Sequence, residues 1–94
     1  MIMCAAIKFR YKDSDSYIVM CGCRHADVYE QMRDVNIDKI TICDITEGFL
    51  KTGNEFLDRK QALWHALECG QLSANDRYKK KQENIDELYS EDLW

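Results

Sequence analysis

The sequence predicts an α+β domain: a small, mainly antiparallel sheet, two helices and an extended C-terminal arm. Three observations carry this prediction. Early runs of β-prone residues are separated by polar turns, and Val28, Tyr29, Met32 and Val35 recur at helical spacing. Asp58 and Gln61 stand three apart before an apolar stripe, the pattern of a capping box that opens a second helix.

Ile2 to Phe9 and Tyr17 to Cys23 read as two strands joined through the polar Lys12 to Ser16, a β-hairpin with a loop of a few residues. The first helix covers His25 to Val35. Ile40 to Ile45 alternates with β-prone residues and is expected to be a third strand. Phe49 to Leu57 reads as a second, shorter hairpin turning at Thr52-Gly53-Asn54, because Gly and Asn tolerate the positive φ of a tight turn. In the second helix Asp58 is the cap, Ala62, Leu63, Ala66 and Leu67 are the buried stripe, and Gly70 is the stop. Ser73 to Asn84 is polar and charged and reads as an exposed linker. With no Pro and no repeat, residues 1–94 form one domain, a compact core over 1–72 followed by a charged linker and tail over 73–94.

A chain of 94 residues, 46% of them apolar, buries only about 60–65% of the surface its unfolded form exposes, so a homo-oligomer, dimer or higher, is expected to help it. No apolar run approaches membrane-spanning length and no signal-peptide layout appears, which predicts a soluble, cytosolic protein without membrane contact. The net charge of −4, from 13 basic and 17 acidic side chains, argues against binding of duplex nucleic acid, where neutralising phosphates drives affinity. The basic cluster Arg77, Lys79, Lys80 and Lys81 is followed at once by Glu83, Asp86, Glu87, Glu91 and Asp92. It reads as a solvated, self-complementary face.

Five cysteines without a secretory signal are expected to stay reduced. Cys4 and Cys43 lie in apolar runs and read as small core residues. Cys21, Cys23, His65 and Cys69 have the ligand types of a zinc site, but Cys-x-Cys misses the usual spacing, and no metal or other cofactor is expected. Gly48 to Gly53 has the glycine spacing of a phosphate loop without its Lys and Ser/Thr. Cys23 with His25 lacks an orienting third group. No catalytic residue is assigned.

Binding chemistry is better represented. A small anion with aromatic bases needs guanidinium or helix N-terminal donors for phosphate and flat side chains for stacking. Arg24 and His25 stand at a strand-to-helix junction. Arg59 and Lys60 occupy the first turn of the second helix, a poor place for cations unless they serve an anion or face water. Phe49, beside a glycine near a loop, and Tyr89 and Trp94 in the tail are candidate stacking platforms, whereas Phe56 and Trp64 read as core. The ligand-binding set is therefore Arg24, His25, Phe49, Arg59, Lys60, Tyr89 and Trp94. Trp94 could equally dock on the core or on a neighbouring subunit.

Arg24-His25, Gly48-Phe49, Phe56-x-Asp58-Arg59 with Ala62, Gly70-Gln71 and Leu88-Tyr-Ser-Glu-Asp-Leu-Trp94 together resemble the recurring pattern of a family of small phage-encoded proteins. That family in turn resembles the viral anti-CBASS sponges that bind cyclic dinucleotide immune signals. The resemblance implies an anti-defence protein in the host cytoplasm that binds and sequesters a cyclic dinucleotide or related nucleotide signal without cleaving it, commonly as a symmetric oligomer. An adaptor that engages a host protein through its tail is the first alternative. A small nucleotide-signal hydrolase using His25 or His65 is the second.

Overall fold

In the computed structural model, which describes residues 1–38 and 40–93, the longest strands form the middle of the sheet. β1 (Ile2–Tyr11) pairs antiparallel on one side with β2 (Tyr17–Gly22) and on the other with β3 (Ile42–Lys51), and β4 (Glu55–Asp58) follows β3 by a hairpin. The order is β2-β1-β3-β4. The second hairpin turns where the residues allow it: Gly53 at φ 93° and Asn54 at φ 62°. α1 (His25–Asp34) packs on β1 and β2, and α2 (Arg59–Glu68) packs on β1, β3 and β4. Ala5 opposite Phe49, and Phe49 opposite Leu57, place both helices over one face.

That face holds two apolar clusters. Ile7, Phe9, Val28, Met32 and Ile42 fill the space under α1. Ile2, Ala5, Phe49, Leu57, Ala62, Leu63, Ala66, Leu72 and Leu88 fill the space under α2. Asp58 caps α2 as expected: its side chain accepts from Gln61 N at 2.8 Å while Gln61 returns a bond to Asp58 N at 3.0 Å. Gln71 brackets the start of the chain, with its amide nitrogen donating to Ile2 O at 2.9 Å and its amide oxygen accepting from Ile2 N.

The α+β class and the antiparallel sheet agree with the sequence. Four element assignments are corrected. The expected third strand and the first arm of the second hairpin are one strand, β3, that passes a bulge at Asp44 (φ 52°) and keeps pairing with β1. Ile40 itself is exposed in the preceding turn. Ser73 to Asn84 is no linker but a third helix, α3 (Ala74–Gln82), opened by a Ser73/Asp76 box and closed before Asn84 at φ 58°. The polar composition hid it, since only Lys80 of this helix is buried. Trp64, expected in the core, is 52% exposed, and Val35 lies exposed just beyond α1.

On the opposite face, Gly48 lets β3 and β4 approach closely. A Cβ there would meet Leu57 O and come within 2.6 Å of Phe56 Cζ. Because the first obstacle is backbone, the clash cannot be relieved by a rotamer change. Gly48→Ala is expected to destabilise the fold by about 3 kcal/mol, lowering the melting temperature by more than about 10 °C. Thermal denaturation followed by circular dichroism checks this, and an unchanged melting temperature would contradict it.

Candidate functional site

Residues 88–93 fold back across the start of α2 and the start of α1. Leu88 N donates to Arg59 O at 2.9 Å, and Arg59 Nη1 donates to Leu88 O at 3.0 Å, so one backbone bond and one side-chain bond tie the arm to a single residue of α2. The Leu88 side chain is fully buried. After it a 3₁₀ turn, Ser90–Asp92, is closed by Asp92 Oδ2 accepting from Tyr89 N at 2.7 Å.

His25, the first residue of α1, is held at both ring nitrogens. Nε2 lies 2.8 Å from Gly48 O, and a carbonyl can only accept, so Nε2 carries the proton. Nδ1 is then the acceptor, 3.0 Å from Ser90 Oγ and 3.5 Å from Arg59 Nη2. Burial lowers the His25 pKa; its bond to Gly48 O opposes that and the Arg59 charge adds to it. The ring also meets Phe49 edge-on, with centroids 5.2 Å apart.

Glu47 is the counter-charge of the site. Its two carboxylate oxygens accept from Tyr29 Oη at 2.7 Å and from Arg59 Nη2 at 2.6 Å. Burial pushes the Glu47 carboxyl up, but the bonds from Tyr29 and Arg59 outweigh it and leave the pKa lowered. Burial and the Glu47 carboxylate raise the Tyr29 phenol to about 12. The Tyr89 ring has two cations near it, Arg59 Cζ at 5.0 Å and Lys80 Nζ at 4.8 Å from its centroid. Lys80 is 7% exposed and spends its ammonium on Asp92 Oδ2 at 2.7 Å and on Glu87 O at 3.1 Å.

The structure thus brings four of the seven expected ligand residues together, His25, Phe49, Arg59 and Tyr89, in a latch that holds the arm. Phe49 is fully buried inside β3, not loop-proximal, so its ring faces core atoms. Arg24 precedes α1 on the exposed surface, with its backbone N bonded to Asp27 Oδ2 at 3.0 Å. Lys60 makes an exposed ion pair with Asp86 at 3.3 Å. Trp94 lies outside the described residues. Tyr29, Glu47, Lys80, Ser90 and Asp92 complete the latch and lie outside the ligand set expected from sequence. Only the Tyr89-Ser-Glu-Asp92 spacing, a capping-box pattern, offered a local signal for them.

Beside the latch, and sharing Lys80 with it, α2 and α3 enclose a cavity of about 330 Å³ lined by Leu63, Trp64, Arg77, Lys80, Lys81, Asn84, Ile85 and Asp86. The Arg77 guanidinium lies 4.0 Å from the centroid of the exposed Trp64 ring. Lys80 is neutralised by Asp92 and Asp86 by Lys60. No described carboxylate lies within ion-pair distance of Arg77 or Lys81, so these two set the sign of the cavity.

The residues of the imagined zinc site are scattered. Cys21 on β2 and Cys23 just after it stand near Cys4 on β1, and the Cys4 thiol is raised to about 11 by burial and by these neighbours. His65 Nε2 contacts the N-terminal amine at 2.9 Å, and Cys69 ends α2. Cys4 and Cys43 are half-buried and not core. Among the described residues, no group of three or more His, Cys, Asp or Glu is arranged to hold a metal ion. No described helix is long and apolar enough to cross a membrane.

Two outcomes follow for stability. Leu88→Ala is expected to cost about 3 kcal/mol, because it empties a fully buried site that anchors the arm. A denaturant titration that showed no loss would mean the arm is not part of the cooperative unit. Since the folded His25 pKa lies below its ordinary 6.5, the unfolded chain binds more protons there. Its contribution is complete above about pH 6.5 and is lost as pH falls through the folded value. Glu47 acts in the same direction below its ordinary 4.5. The melting temperature is therefore expected to fall between pH 7 and pH 5, and His25→Gln, which keeps an amide donor for Gly48 O, is expected to flatten that dependence.

No curated protein and no solved structure is significantly similar to the chain. The family model of the Phage T4 y16D protein matches residues 1–94. The match covers the latch, both α2 and α3, and every strand of the sheet, and the chain belongs to this phage protein family.

Proposed function

We propose that this phage protein is a binding protein that sequesters a nucleotide-derived signal, a cyclic dinucleotide or a close relative, without converting it. The observation that carries the reading is the Arg77 guanidinium stacked on exposed Trp64 at the cavity between α2 and α3. A nucleotide has a flat apolar ring and a compact anion, and this cavity offers the matching pair. Trp64 and Ile85 supply flat and apolar surface, and Arg77 and Lys81 supply positive charge that no described carboxylate claims. A volume of about 330 Å³ is at the lower end for small-ligand sites and suits one nucleotide unit per cavity.

This reading moves the ligand surface from the residues expected in sequence to their neighbours. Arg59 and His25 already have partners, so an incoming phosphate would have to displace Glu47 or Ser90. Arg77 is half-buried over one face of the exposed Trp64 ring, and an anion could reach it without displacing a described carboxylate. Holding a signal against host receptors requires about nanomolar affinity, near −12 kcal/mol. Stacking of about 1–3 kcal/mol per base together with charge-assisted bonds in a partly enclosed site accounts for a large part of it.

The test is depletion. The protein is incubated with a panel of cyclic di- and trinucleotides and removed by filtration, and both the filtrate and the heat-denatured protein are chromatographed. Sequestration predicts one ligand missing from the filtrate and recovered intact. Trp64→Ala and Arg77→Ala are each expected to weaken retention at least about tenfold with an unchanged melting temperature, since single aromatic or charged contacts at a ligand are worth about 1.4 kcal/mol or more. A ligand recovered in altered form would make the protein a hydrolase. No depletion of any ligand would overturn the reading in favour of an adaptor for a host protein.

A further inference from the structure

The geometry points to a second binding surface, the free edge of β2, whose occupant is a second copy of this chain paired antiparallel about Val19 through Ile18–Met20. Open sheet edges are ordinarily guarded by charge, proline, a bulge or a covering segment, because their unpaired N–H and C=O groups recruit other strands. The two edges of this sheet differ in this respect. β4 is four residues long, carries Glu55 and Asp58, ties Glu55 to Lys51 at 2.9 Å and runs directly into α2. β2 reads Tyr-Ile-Val-Met-Cys-Gly, with no Lys, Arg, Asp, Glu or Pro.

The pairing of β2 with β1 is regular over six residue pairs, from Ala5 with Gly22 to Arg10 with Tyr17, so no bulge twists the edge away. Gln31 Nε2 donates to Cys21 O at 3.2 Å and closes the far end. The stretch left open is Tyr17–Met20. It is apolar on both sides: Ile18 and Met20 stand opposite Phe9 and Ile7 on the helix face, while Tyr17 and Val19 stand opposite Arg10 and Lys8 on the open face. Tyr17, Ile18 and Val19 are 51%, 36% and 40% exposed.

Self-complementarity about a two-fold axis selects the occupant: Ile18 of one copy meets Met20 of the other on the helix face, and Val19 meets Val19 on the open face. Two copies that each carry a net charge of −4 repel one another over most approaches. An edge without ionised side chains is where a two-fold axis brings like residues together at no electrostatic cost. Such pairing continues the sheet across the axis and lets Ile18 and Met20 of each copy cover the other's, extending the cluster that holds Ile7 and Phe9. A foreign strand would gain the same backbone bonds but not the match of apolar rows on both faces.

The surface is independent of the ligand reading. α2, which carries Trp64, packs mainly on β3 and β4, toward the other edge of the sheet, so pairing at β2 leaves each cavity open. Sedimentation equilibrium of the full chain over a dilution series is expected to give twice the 11.1 kDa chain mass. Val19→Glu is the discriminating variant. Within one chain the new carboxylate faces Lys8, its cross-strand partner, which supports the fold, whereas across the axis it faces its own copy. The dimer dissociation constant should rise at least about tenfold, as like charges oppose each other across the contact. Val19→Thr should leave it within a few-fold. Amide exchange in the unmodified chain gives a readout that needs no variant: protection at Ile18–Met20 should increase with protein concentration. A chain mass that stays at 11.1 kDa at every dilution, a Val19→Glu variant as dimeric as the parent, or concentration-independent exchange at these amides would each overturn the proposal, whether or not any nucleotide is retained.

Discussion

Arg59 cannot lose its partners without loosening three elements at once. Its backbone oxygen and one guanidinium nitrogen hold the arm at Leu88, a second nitrogen meets Glu47 on β3, and its guanidinium faces the Tyr89 ring. An arginine whose side chain is only 18% exposed demands this degree of satisfaction, because a desolvated charge without a counter-charge is strongly unfavourable. Glu47 answers it, and Glu47 is in turn steadied by Tyr29 from α1. Helix 1, strand 3, helix 2 and the arm are thereby linked through side chains that are polar and geometrically demanding. The apolar clusters supply most of the driving force, and the latch decides which way the arm packs on them.

This arrangement shows why residues of these types can be read in two ways from sequence. Arginine, histidine and aromatic residues at helix N-termini are the types that recognise phosphates and bases, and they are also the types that close a polar network inside a small domain. Spacing along the chain cannot separate the two uses, since the deciding partners, Glu47 to Arg59 and Ser90 to His25, are 12 and 65 residues away. The elements themselves were largely legible. The two hairpins, α1 and the capped α2 follow from local pattern, and Gly53-Asn54 turns where its residue types require. β3 was split in two because Asp44 and the polar Thr46-Glu47 interrupt the alternation, although pairing to β1 runs through them. α3 was missed because its stability comes from one buried lysine and a Ser73 cap, neither of which raises hydrophobic periodicity.

Electrostatics orders the molecule on a larger scale. Most basic side chains that matter are matched nearby: Arg10 with Asp44, Lys51 with Glu55, Lys60 with Asp86 and Lys80 with Asp92. Exposed pairs of this kind contribute little to stability, so their effect is better described as removing charge from consideration. What remains after pairing is more informative than the total. A chain with a net charge of −4 retains a positive cavity between α2 and α3 because α3 presents Arg77 and Lys81 there, while Asp86 and Asp92 are paired with Lys60 and Lys80.

The arm is the reason that this separation of charge holds. Were residues 83–93 a free acidic tail, they would screen the basic side of α3 and compete with any anion for it. The latch fixes Leu88 in the core and turns Asp92 inward onto Lys80, and the Lys60 pair holds Asp86 at the rim of the cavity. Residues 88–93 therefore act on the cavity without lining it: Asp92 takes up Lys80, and Arg77 is left on Trp64 at the cavity.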